Sequence, residues 1–235
     1  ILSGATGDRL WSASPGVEVD FAPIVADLDG DGSPEILGVL RGSDASRGEV
    51  VVWSFRGSEA IARHPWVDEG GARPVAVDVN ADGLEDGIAW GEGTRACLLA
   101  RGCGLEPITV EVGAPAGSAP LPADRDRDGR PESFTVWAGN RLRTVRLPGG
   151  ESLWEFPAEG ERHDAPTFAD LDGDGEPDAV VREIDTLIGV SGKTGGRLWT
   201  IPNPGVWPAP VVADLDGDRA ADLLTAGDQA LAAWS

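Results

Sequence analysis

The chain has 235 residues, with 40 Asp and Glu against 19 Lys and Arg and a formal net charge of −21. Such acidity argues against nucleic acid as a partner, because binding a polyphosphate needs clustered Lys and Arg. No run is long and apolar enough to span a membrane, and the length suits one all-β domain. The first residue is Ile1 and the sequence contains no Met, so a processed or excised piece is expected.

In chain order, residues 1–11 read as a strand ending in Trp11. A unit then recurs five times, beginning near Phe21, Gly71, Ser118, Asp164 and Trp207. Each unit opens on a short strand led by proline, at residues 23–26, 74–77, 120–123, 166–169 and 210–213. Proline at a strand start removes no donor from the ladder. An acidic loop follows, then a second apolar strand. Third strands are expected at 49–53, 96–100, 141–145, 186–190 and 230–234, and fourth strands end in Trp66, Trp154, Trp199 and, for the last unit, Trp11.

The loops carry the chemistry. Loop one places Asp27, Asp29, Asp31 and Glu35 at positions 1, 3, 5 and 9; loop two has Asp78, Asn80, Asp82 and Asp86. Loop three has Asp124, Asp126, Asp128 and Glu132, loop four Asp170, Asp172, Asp174 and Asp178, and loop five Asp214, Asp216, Asp218 and Asp222. The backbone carbonyls at position 7 (Ser33, Leu84, Arg130, Glu176 and Ala220) complete each set. Alternate residues of a tight loop point inward, and a cage of hard oxygen donors suits Ca²⁺. An EF-hand is excluded by position 12, which is Gly38, Ala89, Thr135, Val181 or Thr225 rather than a bidentate Glu, and by the strand that follows. With four acids in four loops and three in loop two, the cages use 19 of the 40 acids, and five Ca²⁺ would bring the charge to −11. Sites one and four keep Asp-Leu-Asp-Gly-Asp-Gly intact and are expected to bind most tightly. Sites three and five are expected to be weaker. Arg125, Arg127 and Arg130 bring positive charge to site three, and Arg219 replaces a glycine in site five.

First aspartates are spaced by 51, 46, 46 and 44 residues, and the step round the ends is 48. Periods of about 40–50 residues mark propeller blades, each of four strands. The expected fold is therefore all-β, a five-bladed β-propeller of four-stranded antiparallel blades. Residues 1–11 would complete the blade of residues 207–235, closing the ring and covering two sheet edges. The loops resemble FG-GAP/VCBS repeats, the calcium-binding blades of integrin alpha-chain propellers and of many secreted bacterial proteins. The Thr6–Trp11 and Thr194–Trp199 ends resemble PQQ-like blades. The resemblance implies a loop between a blade's first two strands and a ligand on the opposite face.

Other motifs add little. Cys97 and Cys103 flank a hairpin, and a disulfide between them is expected in an oxidising compartment. His64 and His163 have no catalytic companions, and Gly192-Lys193-Thr194 reads as a hairpin turn. Trp207 stands in a Pro/Gly loop without counterpart, either as a stacking platform for a ligand or as a plug of the central channel. These features predict a monomeric, secreted, extracellular or periplasmic module, stabilised by up to five Ca²⁺, that recognises a protein or glycan. The alternative is an enzyme domain on a similar ring, such as a polysaccharide lyase or quinone-dependent dehydrogenase. A single Lys, no Tyr and short loops count against it.

Overall fold

Each acidic loop joins two antiparallel strands, as the leading proline and the apolar run after position 9 require. The computed structural model describes residues 1–20, 22–42, 47–57, 59–67, 73–80, 84–100, 105–124, 126, 128, 130–158, 166–183, 186–202, 210–215, 217, 221–226 and 231–234. In the first sheet β1 (Ile24–Ala26), β2 (Glu35–Arg41), β3 (Arg47–Ser54) and β4 (Ala60–Val67) pair in that order. The second holds β5 (Val75–Val77), β6 (Gly87–Glu92), β7 (Arg95–Ala100) and β8 (Ile108–Glu111). The third holds β9 (Leu121–Ala123), β10 (Ser133–Ala138), β11 (Arg141–Arg146) and β12 (Ser152–Pro157). The fourth holds β13 (Thr167–Ala169), β14 (Asp178–Glu183), β15 (Thr186–Val190) and β16 (Arg197–Pro202). The fifth has three strands, β17 (Val211–Ala213), β18 (Asp222–Ala226) and β19 (Leu231–Trp234).

The middle strands are buried on both faces because the sheets pack face to face in chain order. Val50 and Val52 of β3 meet Ile88, Trp90 and Leu99 of the second sheet, together with Trp66. The second sheet turns Ala89, Ala96 and Leu98 the other way, onto Phe134, Val136 and Val145 of the third. Trp137 and Trp154 of the third meet Val181 and Ile188 of the fourth, whose Val180 and Leu187 meet Leu223 of the fifth. Alternation along a strand thus serves two neighbours, and each buried aliphatic side chain contributes roughly 1.5–3 kcal/mol. Trp66, Trp154 and Trp199 each join one of these inter-sheet clusters, as their recurrence implies. Opposite Trp199 in register stands Gly189, where a Cβ would lie 2.5 Å from the indole, so only glycine admits the ring there.

Residues 1–11 do not pair with the fifth sheet among the described residues. Among the described residues, β19 pairs with β18 alone, and Leu2 bridges to Arg9 within its own segment. The segment repeats the turn between β15 and β16 bond for bond. Gly7 N donates to Ser3 O and Ser3 N to Asp8 O, as Gly195 N does to Ser191 O and Ser191 N to Gly196 O, all at 2.8 Å. The Ser3 and Thr6 hydroxyls accept from Thr6 N and Asp8 N, as those of Ser191 and Thr194 accept from Thr194 N and Gly196 N. The bridge Leu2↔Arg9 matches the pair Val190↔Arg197. Residues 1–11 therefore carry their own stub of a third strand, which fills the place that β19 was expected to take.

Trp11 nonetheless docks as an inter-sheet tryptophan. Its Nε1 donates to Gly57 O at 2.6 Å, and its ring meets Trp53 edge to face at 6.3 Å. The Nε1 of Trp154 donates in the same way to Gly192 O of the fourth sheet at 2.7 Å. Both carbonyls lie in the turn after a third strand. Of the expected unit starts, Phe21, Gly71, Asp164 and Trp207 lie outside the described residues, and Ser118 is buried with its hydroxyl accepting from Trp137 N.

Candidate metal centres

In each loop the ninth-position acid stands at or just before the start of the second strand and turns back under the loop. Glu35 accepts from Leu28 N at 2.9 Å, and Asp86, Asp178 and Asp222 accept from Val79 N, Leu171 N and Leu215 N, each at 2.8 Å. This one bond, from position 2 to position 9, recurs in four loops and closes the turn. It also buries a carboxylate: Glu35, Asp86, Asp178 and Asp222 are all buried. The first-position aspartate holds the loop from the other side. Asp27 accepts from Gly30 N and Gly32 N, and Asp170 from Gly173 N and Gly175 N. Gly32 and Gly175 have φ of +79° and +85°, the left-handed conformation that glycine adopts without strain. Third- and fifth-position aspartates cap the amides two residues on, as Asp29 does for Asp31 and Asp31 for Ser33.

These turns bring carboxylates together. In loop three Asp124, Asp126, Asp128 and Glu132 each place an oxygen within 4.8 Å of the others. The same holds for Asp27, Asp29 and Glu35 in loop one and for Asp170, Asp172 and Asp178 in loop four. All three groups could hold a metal ion. The donor set is oxygen only, which selects hard cations over Zn²⁺. In loop two Asn80 Nδ2 donates to Asp86 at 2.9 Å, and Leu84 is exposed. Asp82 of loop two and Asp216, Asp218 and Ala220 of loop five lie outside the described residues, as do Arg125, Arg127 and Arg219.

Burial, more than the neighbouring carboxylates, raises the affinity of two of these buried acids for a proton. Burial pushes the Glu35 carboxyl above its ordinary value, Asp29 and Asp27 push the same way, and the bond from Leu28 N opposes them. Asp178 is raised by burial too, against hydrogen bonds from Gly192 N and Leu171 N. Such a site is relieved either by a proton or by a cation.

Two residues of these sites were not anticipated from the sequence. Arg56 reaches Asp31 at 2.8 Å and Ser33 Oγ at 2.6 Å, and Lys193 reaches Asp174 at 3.3 Å. Both lie two residues after a serine at the end of the third strand, Ser54, or just beyond it, Ser191, which is the signal that aligning the hairpins would have revealed. Neither Asp31 nor Asp174 belongs to the convergent group of its loop. A cleft of about 360 Å³ opens between loops two, three and four, lined by Asp78, Asn80, Asp124, Asp170, Glu176 and Phe168.

The other candidate residues part company. Cys97 is a free, buried thiol, not one half of a disulfide, and Cys103 lies outside the described residues. On β7 the Cys97 side chain faces the first sheet, its Sγ accepts from Thr109 Oγ1 at 3.7 Å, and burial pushes the thiol up to about 11. His64 pairs with Val50 in register on β4, and among the described residues its buried Nε2 has no hydrogen-bond partner. Lys193 and Thr194 form a turn, as expected. Trp207 and His163 lie outside the described residues.

No family model and no curated protein matches the chain. Among solved structures, the V. cholerae biofilm matrix protein Bap1 is similar in fold, with a TM-score of 0.56 and 20% sequence identity. The match covers 92% of this chain and 37% of Bap1, so the chain spans little more than a third of that protein's length.

Proposed function

We propose that the acidic loops are calcium sites that fix the first two strands of successive propeller blades, and that the protein is an extracellular adhesion or binding module. The observation that carries this reading is the recurrent pair of a buried ninth-position acid and a convergent carboxylate group, seen in loops one and four. A buried carboxylate beside other carboxylates is unfavourable in its ionised form, and a bound cation relieves it without protonation. Calcium tolerates the irregular oxygen cage that such turns make, where Mg²⁺ demands a near-ideal octahedron. The FG-GAP/VCBS-like loop spacing and the sheet-on-sheet order support a radial arrangement of blades. The likeness to a biofilm matrix protein supports a role in adhesion outside the cell. In this reading the ions are structural, and the recognition surface lies on the face away from them.

The test is a glycan array probed in calcium and again in EDTA. Binding that appears in calcium and vanishes on chelation is expected. Loss of nothing on chelation would remove calcium from the account, and silence on both glycan and protein arrays would remove recognition.

A further inference from the structure

Counted in register, Arg56 and Lys193 occupy the same step of their hairpins. Glu35, the ninth-position acid of loop one, lies opposite Ser54. The pair Ala179↔Val190 sets Asp178, the ninth-position acid of loop four, opposite Ser191. Each cation stands two residues beyond that serine and reaches the fifth-position aspartate of its own sheet, Arg56 to Asp31 at 2.8 Å and Lys193 to Asp174 at 3.3 Å. Arg56 also donates to Ser33 Oγ, at loop position seven, at 2.6 Å. In both loops the convergent group holds the first, third and ninth positions and omits the fifth. In the third sheet Ser133↔Arg146, and the bond from Leu147 N to Glu132 O, put Leu147 at the step of Ser54 and Ser191. Gly149 therefore falls where Arg56 and Lys193 stand, and it offers no side chain. There the fifth-position Asp128 joins Asp124, Asp126 and Glu132.

We propose that Arg56 and Lys193 are resident counter-ions of loops one and four, which calcium displaces as it enters. The inference rests on the calcium reading of the loops and adds the residues that grade their affinities. A guanidinium or ammonium on the fifth-position carboxylate neutralises one charge of the loop and occupies an oxygen that the ion needs. Entry of a divalent ion sets two like charges beside that carboxylate, and they repel. The tethered side chain is the one free to leave, since Arg56 and Lys193 already have 65% and 59% of their side-chain surface in water. An ion pair so exposed is weak, so displacing it lowers calcium affinity by a factor of about two to five and does not prevent binding. Filling of loops one and four then releases a basic side chain at the turn after the third strand of each sheet. Calcium thereby changes the charge that two hairpins present to solvent.

Lys193 is the only lysine of the chain, so isotope-labelled lysine gives a single side-chain signal in NMR. On titration with Ca²⁺ that signal should move to the position it holds in calcium-free Asp174→Asn. A signal that stays in place at calcium saturation leaves the ammonium on Asp174 and overturns the proposal. Arg56→Gln and Lys193→Gln remove the charge at exposed side chains, and titration calorimetry should show calcium bound about two- to fivefold more tightly at loops one and four. Glu35→Gln and Asp178→Asn, each disabling one loop, identify its binding phase. Unchanged or weaker affinity overturns the proposal, because the cations then brace the loops. Gly149→Lys carries the tether to loop three, at a position where an added Cβ meets nothing within 4 Å. It should bind calcium there more weakly than Gly149→Ala, and equal affinities overturn the assignment of this hairpin step. A chain that binds no calcium at all removes the calcium reading and this inference with it. Calcium binding that is indifferent to these substitutions removes this inference alone.

Discussion

Loops one and four differ from loop three in what stands over the fifth position. In the first two a basic side chain from the turn after the third strand, Arg56 or Lys193, pairs with Asp31 or Asp174, and neither aspartate joins the convergent group of its loop. The corresponding turn of the third sheet, residues 147–151, has no Lys or Arg, and there Asp128 converges with Asp124, Asp126 and Glu132. On the calcium reading proposed above, a tethered cation and a bound ion would therefore compete for the same carboxylate. Intact loop residues alone do not set affinity, which also depends on what the adjoining hairpin supplies. The expectation that loops one and four bind most tightly took no account of this competition.

The widest break in the comparison is removal of all calcium. With a dissociation constant of ~10⁻⁴ M and ~2 mM Ca²⁺, each site contributes about 1.8 kcal/mol by mass action. Five independent sites then give roughly 9 kcal/mol, near the whole stability of a typical domain. Scanning calorimetry in EDTA should show a melting temperature lower by tens of degrees, or no cooperative transition. Equal melts with and without calcium would leave the buried acids unexplained.

Glu35→Gln sharpens it next. The amide oxygen keeps the bond from Leu28 N while the buried charge disappears. In calcium the variant should lose about 1–2 kcal/mol, the contribution of site one. In EDTA it should be neutral or more stable, because the desolvated charge beside Asp27 and Asp29 is gone. Destabilisation of the same size in both buffers would mean that the carboxylate serves the fold without a metal.

Arg56→Ala and Lys193→Ala address the competition itself. An exposed ion pair is worth about 0–1 kcal/mol, so calcium affinity at sites one and four should tighten by up to about fivefold. Arg146→Ala, on the third sheet, pairs with Glu151 outside loop three and should change nothing there. Weakened calcium binding in the Arg56 or Lys193 variants would show that these cations brace the loops instead of competing.

The smallest effect is on pH. Glu35 and Asp178 have raised values in the folded chain, so their contribution is present at low pH and is lost as pH rises through the raised carboxylate range. Without calcium, urea midpoints should therefore fall as pH rises from the acid side toward neutrality. Calcium should reverse the slope, since it binds the ionised form. A metal-free protein that gains stability over the same interval would contradict the assignment.

Much of this was legible because it is local. Proline before a short apolar run, acids at alternate positions and a β-branched run after position 9 placed β1, β2 and their counterparts, and the recurrence of Trp66, Trp154 and Trp199 placed the inter-sheet contacts. The loop cations were not legible, since Arg56 lies 25 residues beyond Asp31 and meets it only once Ser54 pairs with Glu35. The fate of residues 1–11 was misread for a related reason. Period counting fixes which blade position a segment resembles, but the pairing depends on whether Ile1 and Leu2 or β19 reaches Arg9 first. The burial of the Cys97 thiol against the first sheet was not legible either, because spacing in sequence does not tell which face of β7 a side chain takes.

Isothermal titration of Ca²⁺ into the chelated protein tests the central claim most directly. The account predicts binding at three or more sites, weaker binding of Mg²⁺, and loss of one site in Glu35→Gln. No calcium binding at millimolar concentration, or a preference for Zn²⁺, would contradict it.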